Sequence, residues 1–275
     1  MILLGILTLL IGFCMTLIIA HYYIYHKENE FVLKKINLND KPKKDLSNIE
    51  KNMKDRQIIY IQGFNSSTID MDWIEQNMDK SPELTINALS EKNKSYNMPL
   101  KDWYSIFKKK KHKPLLIYPD RKTLSHFNYD VEYNNAISGL INNRFYYMSE
   151  LYLKYYSSRT LNLYEQVKHF YRIIIPKDNN MNILLVSPSK SNTLYLKENK
   201  DVYNYEYVLS KYQSNKPIKY KKYPKAKNMR YITVSIKNND LLMIPYNWSY
   251  SIQDYKGMIV EGNMENIASY IWKYL

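Results

Sequence analysis

The residues of this chain whose types could do chemistry are five histidines, one cysteine and a stretch rich in lysine and tyrosine. His126, Asn128 and Asp130 alternate in His126-Phe127-Asn128-Tyr129-Asp130. Residues two apart share a face of an extended strand, so His126 and Asp130 could form a pair of metal ligands. The other histidines offer that pair no obvious third member. His21 and His26 border an apolar run. His112 sits within Lys108-Lys109-Lys110-Lys111-His112-Lys113, where the local charge repels a cation, and His169 beside Phe170 reads as a packing or hydrogen-bonding residue. Cys14 lies inside the apolar run, so neither an intramolecular disulfide nor a cysteine-based metal site can form within one chain. No phosphate-cradling glycine loop, zinc spacing or nucleophile elbow is present, and with 6 glycines in the chain that absence is informative.

A second chemistry is electrostatic. No acidic residue occurs from Tyr207 to Asn239, while Lys219, Lys221, Lys222, Lys225, Lys227 and Arg230 are interleaved with Tyr220, Tyr223 and Tyr231. Cations on phosphates with aromatic rings stacked on bases are the equipment of a single-strand binder. The same cations suit anionic lipid headgroups, and a solvated lysine-rich surface is the plain alternative. A formal charge of +14 favours acidic partners in general: anionic lipid, an acidic protein or nucleic acid. The oligomeric state is open.

The elements that must position these residues follow from patterning. Hydrophobic content of 45% supports a packed core, and 29 tyrosines carry much of it. Residues 1–25 form an uncharged apolar run that ends in a tyrosine cluster. At 1.5 Å per residue, roughly 20 such residues span a hydrocarbon layer of about 30 Å, so the run is expected to be a single transmembrane anchor contacting the lipid bilayer. The lysines that follow it place the rest of the chain on the cytosolic side. Residues 26–55 are charged, hold Pro42 and read as a polar stalk. Residues 56–275 read as one domain. Ile58 to Ile61 predicts a buried strand, and Ser67-Thr68-Ile69-Asp70 a capping box opening a helix that ends at Ser81-Pro82. A short helix follows Pro99, a strand covers Leu115 to Tyr118, and residues 120–145 are polar and poorly periodic. Beyond about 160 the pattern is β. Phe170 to Ile175 and Ile183 to Val186 flank a turn, which reads as a hairpin, and Tyr231 to Ile236 and Leu241 to Ile244 flank the turn Asn238-Asn239-Asp240. Met264, Ile267, Ala268 and Ile271 predict a closing helix over 263–275.

Two segments of this β region carry a family pattern. Ile183-Leu184-Leu185-Val186-Ser187-Pro188-Ser189, followed by Leu194-Tyr195, resembles the apolar strand of the JmjC/cupin-like hydroxylases, which ends in Pro-Pro or Pro-Ser with Leu-Tyr a few residues on. Asn239-Asp240-Leu241-Leu242-Met243-Ile244-Pro245, with Trp248 and Tyr250, resembles the same family's segment of Gly-Asp, an apolar run, Ile-Pro, tryptophan and, two residues later, histidine. The resemblance implies a mainly β fold with flanking helices (α+β), a cupin-like double-stranded β-helix preceded by the single transmembrane helix. It also implies Fe(II) held by a His-x-Asp/Glu pair and a distal histidine, with 2-oxoglutarate as cosubstrate. Those ligand positions are lost here. The pair falls on Asn162-Leu163-Tyr164 and the distal position on Tyr250, and an amide and phenols do not make such a site.

The expectation is therefore a catalytically degenerate, membrane-anchored protein with no metal and no cofactor, in a binding or structural role that would suit a viral membrane component. Asn162, Tyr164 and Tyr250 are expected to converge at one point. Two alternatives are an active hydroxylase using His126 and Asp130, and a basic module docking on lipid or nucleic acid.

Overall fold

The computed structural model describes residues 2–26, 32–39, 42–64, 69–89, 95–108, 116–141, 146–156, 163–200, 206–214 and 216–266. The chain is mainly β with a few helices. It begins with α1 (Ile2–His26), β1 (Leu33–Asn37), α2 (Pro42–Lys54), β2 (Ile58–Gln62), α3 (Met71–Asn77), β3 (Thr85–Leu89) and β4 (Ser95–Pro99). Then come α4 (Leu100–Lys108), β5 (Leu116–Asp120), α5 (Arg121–His126), α6 (Tyr129–Leu140), β6 (Tyr146–Tyr156), β7 (Leu163–Gln166), β8 (Tyr171–Pro176) and β9 (Met181–Val186). The remaining strands are β10 (Leu196–Lys200), β11 (Glu206–Gln213), β12 (Ile232–Ile236), β13 (Leu241–Pro245), β14 (Ser249–Gln253) and β15 (Gly257–Asn266).

Among the described residues the strands form two sheets, ordered β1-β2-β13-β8-β15-β6-β5-β3-β4 and β10-β11-β7-β14-β9-β12. Every step from β6 to β9, and again from β12 to β15, carries the chain to the other sheet. The four-strand segments β13-β8-β15-β6 and β7-β14-β9-β12 therefore interleave in the manner of a jelly roll. The turn at 176–180, which the sequence presents as a hairpin, and the turn at 238–240 are both crossings between sheets: β8 and β13 belong to one sheet, β9 and β12 to the other. Asp240 fixes the second crossing. It accepts the Tyr60 hydroxyl at 2.6 Å and the Gly63 N–H at 2.8 Å, while Asn239 takes a left-handed φ of 62°, which asparagine tolerates.

Strand alternation sorts the side chains into three layers. On β8, Ile173 and Ile175 face the helices while Arg172 and Ile174 face the second sheet. On β15, Met258 and Val260 take the helix side, and Ile259 and Glu261 the inner side. The helix-side core is closed by Ile49 and Met53 of α2, Trp103 of α4, Leu124 of α5, and Tyr133 and Ile137 of α6. Trp103 lies against Tyr155 with ring centroids 4.4 Å apart.

This packing corrects several expectations. Residues 33–39 and 42–54 are no stalk: β1 pairs in parallel with β2, and Ile36, Ile49 and Met53 are buried. Ile49 and Met53 are four apart, the spacing of one helix face. Residues 121–140 are helical, in α5 and α6. Asp70 caps α3 by accepting the Trp73 N–H at 2.7 Å, whereas Ser67 and Thr68 lie outside the described residues. Met264 sits in β15 and packs on the helix-side core as a strand residue. The rest of the expected closing helix, 267–275, lies outside the described residues.

The transmembrane part of the expected fold is also corrected. The N-terminal run is helical, and its described side chains, Gly5 to Ile19, are largely exposed. Among the described residues no helix is long and apolar enough to cross a membrane. Single-pass anchoring, and the cytosolic orientation built on it, are not supported.

Candidate functional site

Five side chains from both sheets meet between them: Lys154 of β6, Glu165 of β7, Arg172 of β8, Tyr250 of β14 and Glu261 of β15. All are buried, Glu261 at 0% exposure. Glu261 is the hub. It forms a close ion pair with Lys154, a second with Arg172 Nη1 at 3.4 Å, and accepts the Tyr250 hydroxyl at 2.7 Å. Glu165 is held at the other side, 3.2 Å from Lys154 Nζ and 3.1 Å from Arg172 Nη2. The Tyr152 hydroxyl accepts from Arg172 Nη1. Two cations face two carboxylates, so the interior is neutral while holding four charges. Such a group is tolerated in low dielectric only when each charge is paired and hydrogen-bonded.

The electrostatics follow from that pairing. Burial works against the Lys154 ammonium, but Glu165 and Glu261 outweigh it and hold its pKa well above the lysine range. Burial also disfavours the Glu261 carboxylate, and Lys154 and Arg172 reverse this, leaving it below the usual value. For Glu165 burial prevails over Lys154, with Glu261 adding to it, and its pKa is raised. Burial pushes the Tyr250 phenol well above its range, and both glutamates push further. Tyr250 is therefore a fixed hydrogen-bond donor at neutral pH.

No protein-family model and no curated protein matches the chain.

Of the three positions expected to converge, Asn162 lies outside the described residues, and the other two are on opposite faces of the second sheet. Tyr250 points inward to Glu261. Tyr164 points outward into a separate cluster with Val186, Leu194, Tyr212 and Ala226, and burial raises its pKa to about 12. The residue of β7 that pairs with Tyr250 is Glu165. A slip of one residue exchanges the faces of a strand, so Tyr164 was one position away from the inward side chain. Sequence reasoning missed Lys154, Arg172 and Glu261 altogether. Each had a visible signal: a charge set inside an otherwise apolar strand, as in Leu151-Tyr152-Leu153-Lys154-Tyr155 and Met258-Ile259-Val260-Glu261.

His126 and Asp130 do not share a strand. His126 ends α5, with Nε2 2.9 Å from Ser81 Oγ, and Asp130 lies in the first turn of α6, where its Oδ1 accepts the N–H of the next residue, Val131, at 2.9 Å. His169 pairs through Nδ1 with Glu265 at 2.6 Å. Lys219, Lys221, Lys222, Lys225, Lys227 and Arg230 are exposed on the connection from β11 to β12.

Proposed function

We propose that this chain is a catalytically inactive protein of the cupin-like hydroxylase type, serving a binding or structural role. The observation that carries the reading is the paired Lys154–Glu165–Arg172–Glu261 group between the sheets. The interleaved strand order and the segments Ile183–Ser189 and Asn239–Tyr250 support the cupin-like part. In this reading a one-residue shift along β7, set by the pairing of Glu165 with Tyr250, moves the family's acidic position from Tyr164 to Glu165 and its first histidine position from Asn162 to Leu163, with the distal position on Tyr250. Leucine donates nothing to a metal, and the Tyr250 hydroxyl donates its hydrogen bond to Glu261. Both oxygens of Glu165 face cationic nitrogens. Two buried cations beside the acid oppose a divalent ion by direct repulsion, so these residues do not fit an iron site.

The test is anaerobic titration of the full chain with Fe(II), with and without 2-oxoglutarate, followed by metal quantification after gel filtration. The expected result is no retained stoichiometric iron and no 2-oxoglutarate-dependent change. One iron per chain, with 2-oxoglutarate turnover to succinate, would overturn the reading.

A further inference from the structure

The connection from β11 to β12 covers the outer face of the second sheet, on the side away from the ion-pair group. Ile218, Tyr223, Ala226 and Met229 pack inward against Tyr164, Leu194 and Tyr212. The Lys225 N–H donates to the Tyr195 hydroxyl at 3.0 Å, and the Tyr223 hydroxyl donates to the Lys211 carbonyl at 3.4 Å. The segment is thus tied down, and this anchoring sends its cations outward: Lys219, Lys221, Lys222, Lys225, Lys227 and Arg230 are all exposed. Some lysines elsewhere have carboxylate partners, as in Lys101–Asp79, Lys108–Glu75 and Lys168–Glu198. Among the described residues these six have none. Two tyrosines of the same segment also face solvent, Tyr220 at 47% and Tyr231 at 54% exposure, although most tyrosines of this chain with described burial are at least half-buried.

We propose that this face is a docking surface for single-stranded nucleic acid, the cations meeting phosphates and Tyr220 and Tyr231 stacking on bases. One feature favours a strand over a lipid headgroup layer: the exposed rings flank the cations along one ordered segment, the arrangement that pairs base stacking with backbone tracking. The proposal is independent of whether the interior is catalytic.

The test is fluorescence-anisotropy binding of a labelled oligothymidylate to the full chain across a salt series. With six phosphate contacts the log–log slope is about −4, so raising salt from about 50 to about 200 mM weakens binding on the order of 300-fold. The double variant Lys221→Ala/Lys222→Ala is expected to flatten the slope by about 1.4. The double variant Tyr220→Ala/Tyr231→Ala is expected to weaken binding by at least about 30-fold without changing the slope, and to have no effect on an abasic strand of equal length. All four residues are exposed, so both variants should keep the parent circular dichroism and melting temperature. Four results would overturn the proposal: no binding at low salt, binding indifferent to the lysine pair, equal affinity for abasic and base-bearing strands, or tighter binding to phosphatidylserine–phosphatidylcholine vesicles than to the oligonucleotide.

Discussion

Replacing Glu261 by glutamine is expected to lower the stability of the folded chain by about 3–5 kcal/mol, read as a reduced midpoint in urea unfolding at neutral pH. The substitution keeps the shape of the side chain and removes its charge. Lys154 and Arg172 would then face Glu165 alone, leaving one buried positive charge uncompensated. The pH dependence carries the same signature. Because the folded-state pKa of Glu261 is depressed, its contribution is present above the unfolded value near the ordinary glutamate range and is lost as pH falls through the folded value. Glu165, whose pKa is raised, acts in the opposite sense: its contribution is present below the unfolded value and is lost as pH rises through the folded one. The acid-induced loss assigned to Glu261 should therefore vanish in Glu261→Gln. A change of less than about 1 kcal/mol would mean that water already reaches the carboxylate.

Asp178→Ala is the second large effect, about 2–4 kcal/mol. Asp178 lies in the first crossing between sheets. Its Oδ1 accepts the Met71 N–H at 2.8 Å, and its Oδ2 accepts the Met258 N–H at the start of β15. One carboxylate thus ties the entry of α3 to the last strand, and removing it orphans two backbone donors. Gly257 permits the approach: its φ is +143°, and a Cβ there would lie 2.6 Å from Asp178 Oδ2. Asparagine should recover little, because its amide NH2 would face one of the two N–H groups. Urea unfolding of Asp178→Asn beside Asp178→Ala checks this, and full recovery in the asparagine variant would contradict it.

The sequence made the strands legible but not their partners. Residues 171–176, 181–186, 232–236 and 241–245 are dense in apolar side chains and are bounded by turn residues. Such turns carry the same Asn, Asp and Pro chemistry whether the chain doubles back within a sheet or crosses to another, so the crossing at 176–180 reads as a hairpin. Face assignment failed at Tyr164 because β7 is four residues long, too short for alternation to fix its phase. Helix α2 was hidden by its lysines: mostly polar, it shows its apolar face through Ile49 and Met53. The apolar N-terminal run illustrates the reverse. Composition alone argued for a span, but among the described residues no helix meets the length and apolarity for one. The ion-pair group was out of reach because its members lie on five strands spread from Lys154 to Glu261, and only the interleaved order of those strands brings them together.

The interior claim is tested most directly by a double-mutant cycle on Lys154 and Glu261. Lys154→Met and Glu261→Gln each break a paired group. Together they leave Arg172 and Glu165 as a matched pair, so the double variant should be far less destabilised than the sum of the singles, with a coupling of about 2–3 kcal/mol. Single effects that add to within about 0.5 kcal/mol would contradict a closed, coupled interior and reopen the space between the sheets as a solvated pocket.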